Sequence, residues 1–128
     1  MIVLLLAAAS AFAPLTGDFD HDGRQDTAQI VSIGGQYVLR VTRGADLRHP
    51  ITIHDYGKAK ATGAFVDVTV AGRFKTACGK GYYGTETGRC SRDWVTLRAG
   101  DLSFGYAESS DAVALWNGKR FDVEWLSD

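Results

Sequence analysis

Short runs in which apolar and polar residues alternate, closed off by glycine or a polar turn, recur from residue 27 to the end of the chain. Period-two alternation places apolar side chains on one face of a strand, whereas an amphipathic helix needs a 3.6-residue repeat that no long run here supplies. Only residues 56–62, with their Lys and Ala, suggest a single helical turn. About eight strands are expected on this pattern, over 27–33, 37–42, 51–53, 64–71, 94–98, 102–106, 112–116 and 121–126. Tyr37, Leu39 and Val41 would share one face, as would Leu102, Phe104 and Tyr106, and Phe121, Val123 and Trp125. Val66, Val68 and Val70 would enter the core, opposite Asp67 and Thr69.

The connections carry turn chemistry. Gly34-Gly35 suits a hairpin because glycine tolerates positive φ, residues 99–101 would link a second hairpin, and Asn117-Gly118 predicts a type I′ turn. His49-Pro50 reads as a turn leading into the strand at 51–53. The expected fold is all-β: an antiparallel meander closing as a small sandwich, a curved sheet or a barrel. With 128 residues, 45% hydrophobic composition and 15 glycines, the chain fits one domain of short strands and is too apolar for a disordered one. A net charge of −1 with no Lys/Arg cluster argues against nucleic acid as a partner.

Residues 2–12 are apolar apart from Ser10 and end at Ala11-Phe12-Ala13, an A-x-A arrangement. The run is too short to span a bilayer, which takes about 20 apolar residues. It reads as a signal peptide over 1–13, leaving a β-domain over 14–128 in the periplasm or outside the cell. No Lys or Arg precedes the apolar run, and Pro14 follows the proposed cut. Cys78 and Cys90, the only cysteines, enclose a glycine-rich stretch and would form a disulfide in an oxidising compartment. Their spacing is too long for a C-x-x-C redox or zinc motif.

The stretch Gly17-Asp18-Phe19-Asp20-His21-Asp22-Gly23-Arg24-Gln25-Asp26 holds four carboxylates within nine residues, with a glycine where the chain must reverse. Calcium takes about six to eight oxygen ligands, and a D-x-D-x-D-G loop wraps side chains around one such cation and adds a backbone carbonyl after the glycine. The ligands would be Asp18, Asp20, Asp22 and Asp26 with the Arg24 carbonyl. Without a cation the acids repel one another, offset only in part by Arg24. The plainer alternative is an Asp-rich turn whose acids are simply solvated.

This stretch resembles the G-D-F-[ND]-x-D-G-x-x-D core of FG-GAP or VCBS-type repeats, the calcium loops of integrin α-chain propellers and of many exported bacterial proteins. The resemblance implies a loop between strands, with the same four aspartates and the Arg24 carbonyl as calcium ligands and His21 and Gln25 at variable positions. Residues 116–121, Trp-Asn-Gly-Lys-Arg-Phe, also resemble W-[ND]-G-K-x-F segments of small exported proteins that carry such a loop. A propeller needs several copies and this chain has one, so the resemblance implies the metal loop alone. An EF-hand is disfavoured because Gln29 stands where the bidentate Glu would be.

Catalytic constellations are sparse. His54-Asp55 is the best pair, but neighbours on a strand point to opposite faces. Asp67, Asp93, Asp122 and Glu124 read as a solvated face rather than as a glycosidase pair. Trp94, Trp116 and Trp125 with Phe104, Tyr106 and Phe121 read as core in preference to a sugar-stacking platform. Tyr82 and Tyr83, inside the cysteine-closed loop, are candidates for a protein contact. The expectation is a non-enzymatic, calcium-binding envelope domain that binds an envelope or extracellular protein. The alternatives are an inhibitor or immunity protein of a secreted hydrolase, acting through the Cys78 to Cys90 loop, and a small hydrolase.

Overall fold

The computed structural model describes residues 12–58, 63–82 and 90–127. Among them run ten strands: β1 (Leu15–Gly17), β2 (Asp26–Ile33), β3 (Gln36–Arg43), β4 (Asp46–Gly57), β5 (Ala64–Val68), β6 (Gly72–Lys75), β7 (Trp94–Leu97), β8 (Leu102–Tyr106), β9 (Ser110–Trp116) and β10 (Phe121–Trp125). All pairings are antiparallel, in sheets ordered β1-β2-β3-β4, β10-β9-β8-β5 and β6-β7. The architecture is therefore all-β, as the alternation predicts, and the sheets do not close into a barrel.

The first two sheets face each other. Ala28, Ile30, Leu39 and Val41 from one pack with Leu102, Phe104, Ala112, Ala114 and Phe121 from the other. The expected face of Tyr37, Leu39 and Val41 is formed, with Tyr37 at its margin. The third sheet lies on the outer side of the second, where Val95 and Leu97 meet Val113 and Leu126. Strand β9 is thus covered on both faces, and Ala112, Val113 and Ala114 have no exposed surface. Small alanines on one side let the sheets approach closely, while Val113 fills the other side.

Several connections differ from expectation. Gly34 and Gly35 both have positive φ (59° and 83°), and the β2–β3 hairpin turns on those two residues as predicted. Residues 94–98 and 102–106 do not form a hairpin: β7 pairs with β6, while β8 pairs with β5 and β9. The alternation of Val95 and Leu97 is satisfied by the outer face of the second sheet instead of by a place in it. Because β5 and β8 are neighbours, residues 69–101 form an excursion from that sheet. Its root is closed by Thr69 N to Asp101 O (2.8 Å) and Gly100 N to Thr69 O (3.0 Å). Farther out, the predicted Cys78–Cys90 disulfide joins its arms, with Cα atoms 5.7 Å apart.

The 117–120 connection is a four-residue loop and not the predicted two-residue type I′ turn. Asn117 Oδ1 accepts N–H bonds from Lys119 and Arg120, which stabilises the longer loop, and only Gly118 has positive φ there. His49 and Pro50 lie within β4 rather than in a turn. An edge strand tolerates a residue with no N–H, and the pairing slips opposite Val41 to Arg43. Tyr56 and Gly57 end that strand instead of starting a helical turn, and residues 59–62 lie outside the described residues. Strand β5 stops at Val68, so Val66 packs on the core while Val68 and Val70 are exposed. Trp94 is also exposed, against its core assignment. Residues 1–11 lie outside the described residues. Phe12, inside the proposed signal, meets Tyr37 edge-on at 6.5 Å, and its carbonyl accepts from Gln29 Nε2 at 2.9 Å.

Candidate metal centre

The acidic stretch connects β1 to β2, so its ends are held by a strand pair while its middle must reverse. Gly23 (φ 87°) and His21 (φ 57°) adopt left-handed backbone, which folds the chain back on itself. The reversal brings Asp18, Asp20 and Asp22 together, with one carboxylate oxygen from each lying within 4.8 Å of the others. Backbone donors hold these groups in place. Asp18 accepts from Asp22 N (3.0 Å) and Gly23 N (2.9 Å), Asp20 from Asp22 N (3.2 Å), and Asp22 from Arg24 N (2.8 Å). Desolvation, the largest single influence, pushes the Asp18 carboxyl up, but the Gly23 and Asp22 N–H bonds, the Asp20 side chain and His21 together outweigh it and hold the group below its ordinary value.

Asp26 behaves differently from the other three acids. It is fully buried, and Oδ2 accepts from Phe19 N (2.8 Å) and Asp20 N (3.3 Å) while Oδ1 accepts from Gly44 N (2.8 Å). It lies outside the three-carboxylate group and fastens the acidic loop to the β3–β4 turn. Gly44 is required there, since an added Cβ would stand 2.4 Å from the Gln25 carbonyl.

Two further contacts anchor the loop. Arg43 Nε donates to Asp20 Oδ2 at 2.7 Å, and its guanidinium carbon lies 4.1 Å from the centroid of a Trp116 ring. His21 Nε2 reaches Asp101 Oδ1 at 2.5 Å, and the other Asp101 oxygen accepts from Arg98 N at 2.7 Å. The acidic loop is thereby tied to the first sheet through Arg43 and to the second through Trp116 and Asp101. Phe19, between the clustered acids, sends its ring into the core with no exposed surface. Neither Arg43 nor Asp101 is marked by the acidic motif, and their sequence signals are limited to a charge at a strand end and a turn residue, whereas Trp116 opens the 116–121 segment that resembles W-[ND]-G-K-x-F.

The remaining candidates lie elsewhere. His54 points inward, with Nε2 3.1 Å from the Tyr106 hydroxyl and its ring among Tyr56, Phe104, Tyr106 and Trp125. Burial lowers its pKa, opposed by the nearby Asp55 carboxylate. Asp55 is exposed and accepts from Gly57 N (2.7 Å) and Gln36 Nε2 (3.3 Å). Burial pushes Tyr56 up to about 12, and its hydroxyl donates to the Gly105 carbonyl at 3.3 Å. Burial also raises Glu124, against the pull of Arg92 and the Ser91 hydroxyl bond. Tyr82 is 55% exposed beside the disulfide, and Tyr83 lies outside the described residues. No helix among the described residues is long and apolar enough to cross a membrane.

No protein family, curated protein or solved structure matches this chain. The oxygens of Asp18, Asp20 and Asp22 lie close enough together that one metal ion could bridge them.

Proposed function

We propose that this chain is an exported, non-enzymatic β-domain whose FG-GAP/VCBS-like loop binds calcium, and that the ion serves structure while the domain mediates protein contacts in the cell envelope. The observation that carries the reading is the convergence of Asp18, Asp20 and Asp22 on one point. An all-oxygen, multiply charged donor set suits a hard cation, and the flexible coordination of calcium suits a loop of carboxylates and carbonyls better than the strict octahedron of magnesium. The Arg24 carbonyl is the fourth donor, on the strength of the resemblance, while Asp26, which the same resemblance counts among the ligands, has both oxygens engaged by backbone N–H groups and is assigned the role of an anchor. Extracellular calcium sites work at dissociation constants of about 10⁻⁴ to 10⁻³ M, so a loop of this modest charge suffices outside the cytosol. The disulfide accords with that location.

Equilibrium dialysis with calcium on the parent chain and on a variant carrying Asp20→Asn and Asp22→Asn tests the proposal. One ion retained by the parent and none by the variant is the expected result; equal retention would refute it. A second reading, an inhibitor or immunity protein of a secreted hydrolase, draws on the exposure of Tyr82 on the disulfide-closed loop. It predicts that Tyr82→Ser with Tyr83→Ser abolishes inhibition of the target hydrolase while calcium retention stays intact.

A further inference from the structure

The charge of the chain is unevenly spread, and the imbalance coincides with one element of the fold. Residues 69–98 carry six Lys or Arg against two Asp or Glu, in a chain of net charge −1. They make up most of the excursion that lays β6 and β7 on the outer face of the second sheet. The same stretch holds Val70, Phe74, Tyr82 and Trp94, half of the large apolar side chains exposed among the described residues. With Val95 and Leu97 turned inward, Arg73, Lys75, Trp94 and Thr96 are left on the other side of the pair.

On that side the cations are arranged on an aromatic ring. The Arg73 guanidinium carbon lies 4.2 Å from the Trp94 ring centroid and Lys75 Nζ lies 5.8 Å from it. Arg92 and Lys80 are occupied, the first by Glu124 and Asp122, the second by the Leu126 carbonyl. Among the described residues no carboxylate pairs with Arg73 or Lys75. A stacked guanidinium keeps its N–H fork fixed, the geometry that donates two parallel bonds to one carboxylate. The sheet has two strands only, and among the described residues the outer edges of 72–75 and 94–97 carry no backbone partner; just beyond β6, Ala77 N donates to the Trp125 carbonyl. Free strand edges are matched by an extended polypeptide, which a lipid surface or a polysaccharide cannot imitate.

We propose that the β6–β7 sheet is a docking face for an acidic, extended segment of a partner protein, whose backbone joins a free edge and whose carboxylates meet Arg73 and Lys75. This inference rests on the protein-contact reading above and names the partner's chemistry; it does not involve the calcium loop.

The probe is a fluorescent peptide alternating Glu and Val, titrated by anisotropy at low salt against the parent, Arg73→Ser with Lys75→Ser, Arg73→Lys, and Tyr82→Ser. The expected result is binding that weakens about tenfold or more in the double variant, partially in Arg73→Lys, and with added salt. Amide exchange should slow at residues 72–75 or 94–97 in the complex, a sign of strand addition that charge attraction alone would not give. Melting curves of each variant confirm that it is folded, since all the changed side chains are exposed. Binding that is indifferent to Arg73 and Lys75 but lost with Tyr82 overturns this face and leaves the disulfide-loop contact standing. Loss with neither removes both. Equal affinity for a Lys-Val peptide, or binding to phosphatidylglycerol vesicles or polygalacturonate without binding to the Glu-Val peptide, also overturns the proposal.

Discussion

Within the β1–β2 loop the carboxylates of Asp18, Asp20 and Asp22 converge, while Asp26, with no exposed surface, takes its bonds from Phe19, Asp20 and Gly44. The two roles separate in their response to mutation. Asp26→Ala leaves three backbone donors without their acceptor and should cost on the order of 3 kcal/mol in urea unfolding, with or without calcium. Asp22→Asn should change stability in chelator by less than about 0.5 kcal/mol, since the residue is exposed, yet abolish the gain from calcium. His54 offers a prediction of another kind. Its pKa is lowered from 6.5 in the fold, so the unfolded chain takes up the proton first. Its contribution is complete above pH 6.5 and is lost as pH falls below that value. His54→Gln should flatten the decline in unfolding free energy over that range; an unchanged decline would remove His54 as its source.

At the scale of elements, the excursion between β5 and β8 should be the least independent part of the fold. Its two strands are held by a small apolar patch, the bonds at Thr69, the Ala77 N–H and Lys80 bonds to the Trp125 and Leu126 carbonyls, the Arg92 ion pairs and the disulfide. A disulfide closing a loop of this length contributes roughly 3 kcal/mol. Cys78→Ser with Cys90→Ser should therefore raise amide exchange in β6 and β7 first, with β2 and β3 still protected, as hydrogen-exchange mass spectrometry would show. Uniform loss of protection would contradict that order. This excursion also marks where the sequence stops being legible. Strands with clean alternation, such as β3 and β8, can be read within a residue or two, because their periodicity is a local property. Which strand pairs with which is not local: Val95 and Leu97 alternate equally well for a hairpin with β8 and for a separate layer, and the choice is made by Val113 and Leu126 far along the chain. Strand β1 is too short for a pattern, β6 has Phe74 as its one large apolar residue and so no alternation, and Pro50, which an edge position tolerates, obscures β4. In the candidate site, the acidic motif marks its own aspartates but not Arg43 or Asp101, which reach it from other elements, and Trp116 is marked only through the segment it opens at 116–121.

Over the whole molecule, the acidic loop sits where both sheets of the sandwich are tied together, through Arg43, Trp116 and Asp101. An ion that fixes this loop would therefore stabilise the entire sandwich, and binding to the native state alone raises unfolding free energy by RT ln(1 + [L]/Kd). At ten times the dissociation constant that amounts to about 1.4 kcal/mol, or a rise in Tm of about 5 °C for a chain of this size. The decisive measurement is a calorimetric calcium titration of the purified chain, paired with melting curves in chelator and in excess calcium. The account predicts one equivalent bound and a higher Tm with calcium. No heat of binding and superimposable melting curves would contradict it and reduce the loop to an acidic turn held together by its own backbone bonds.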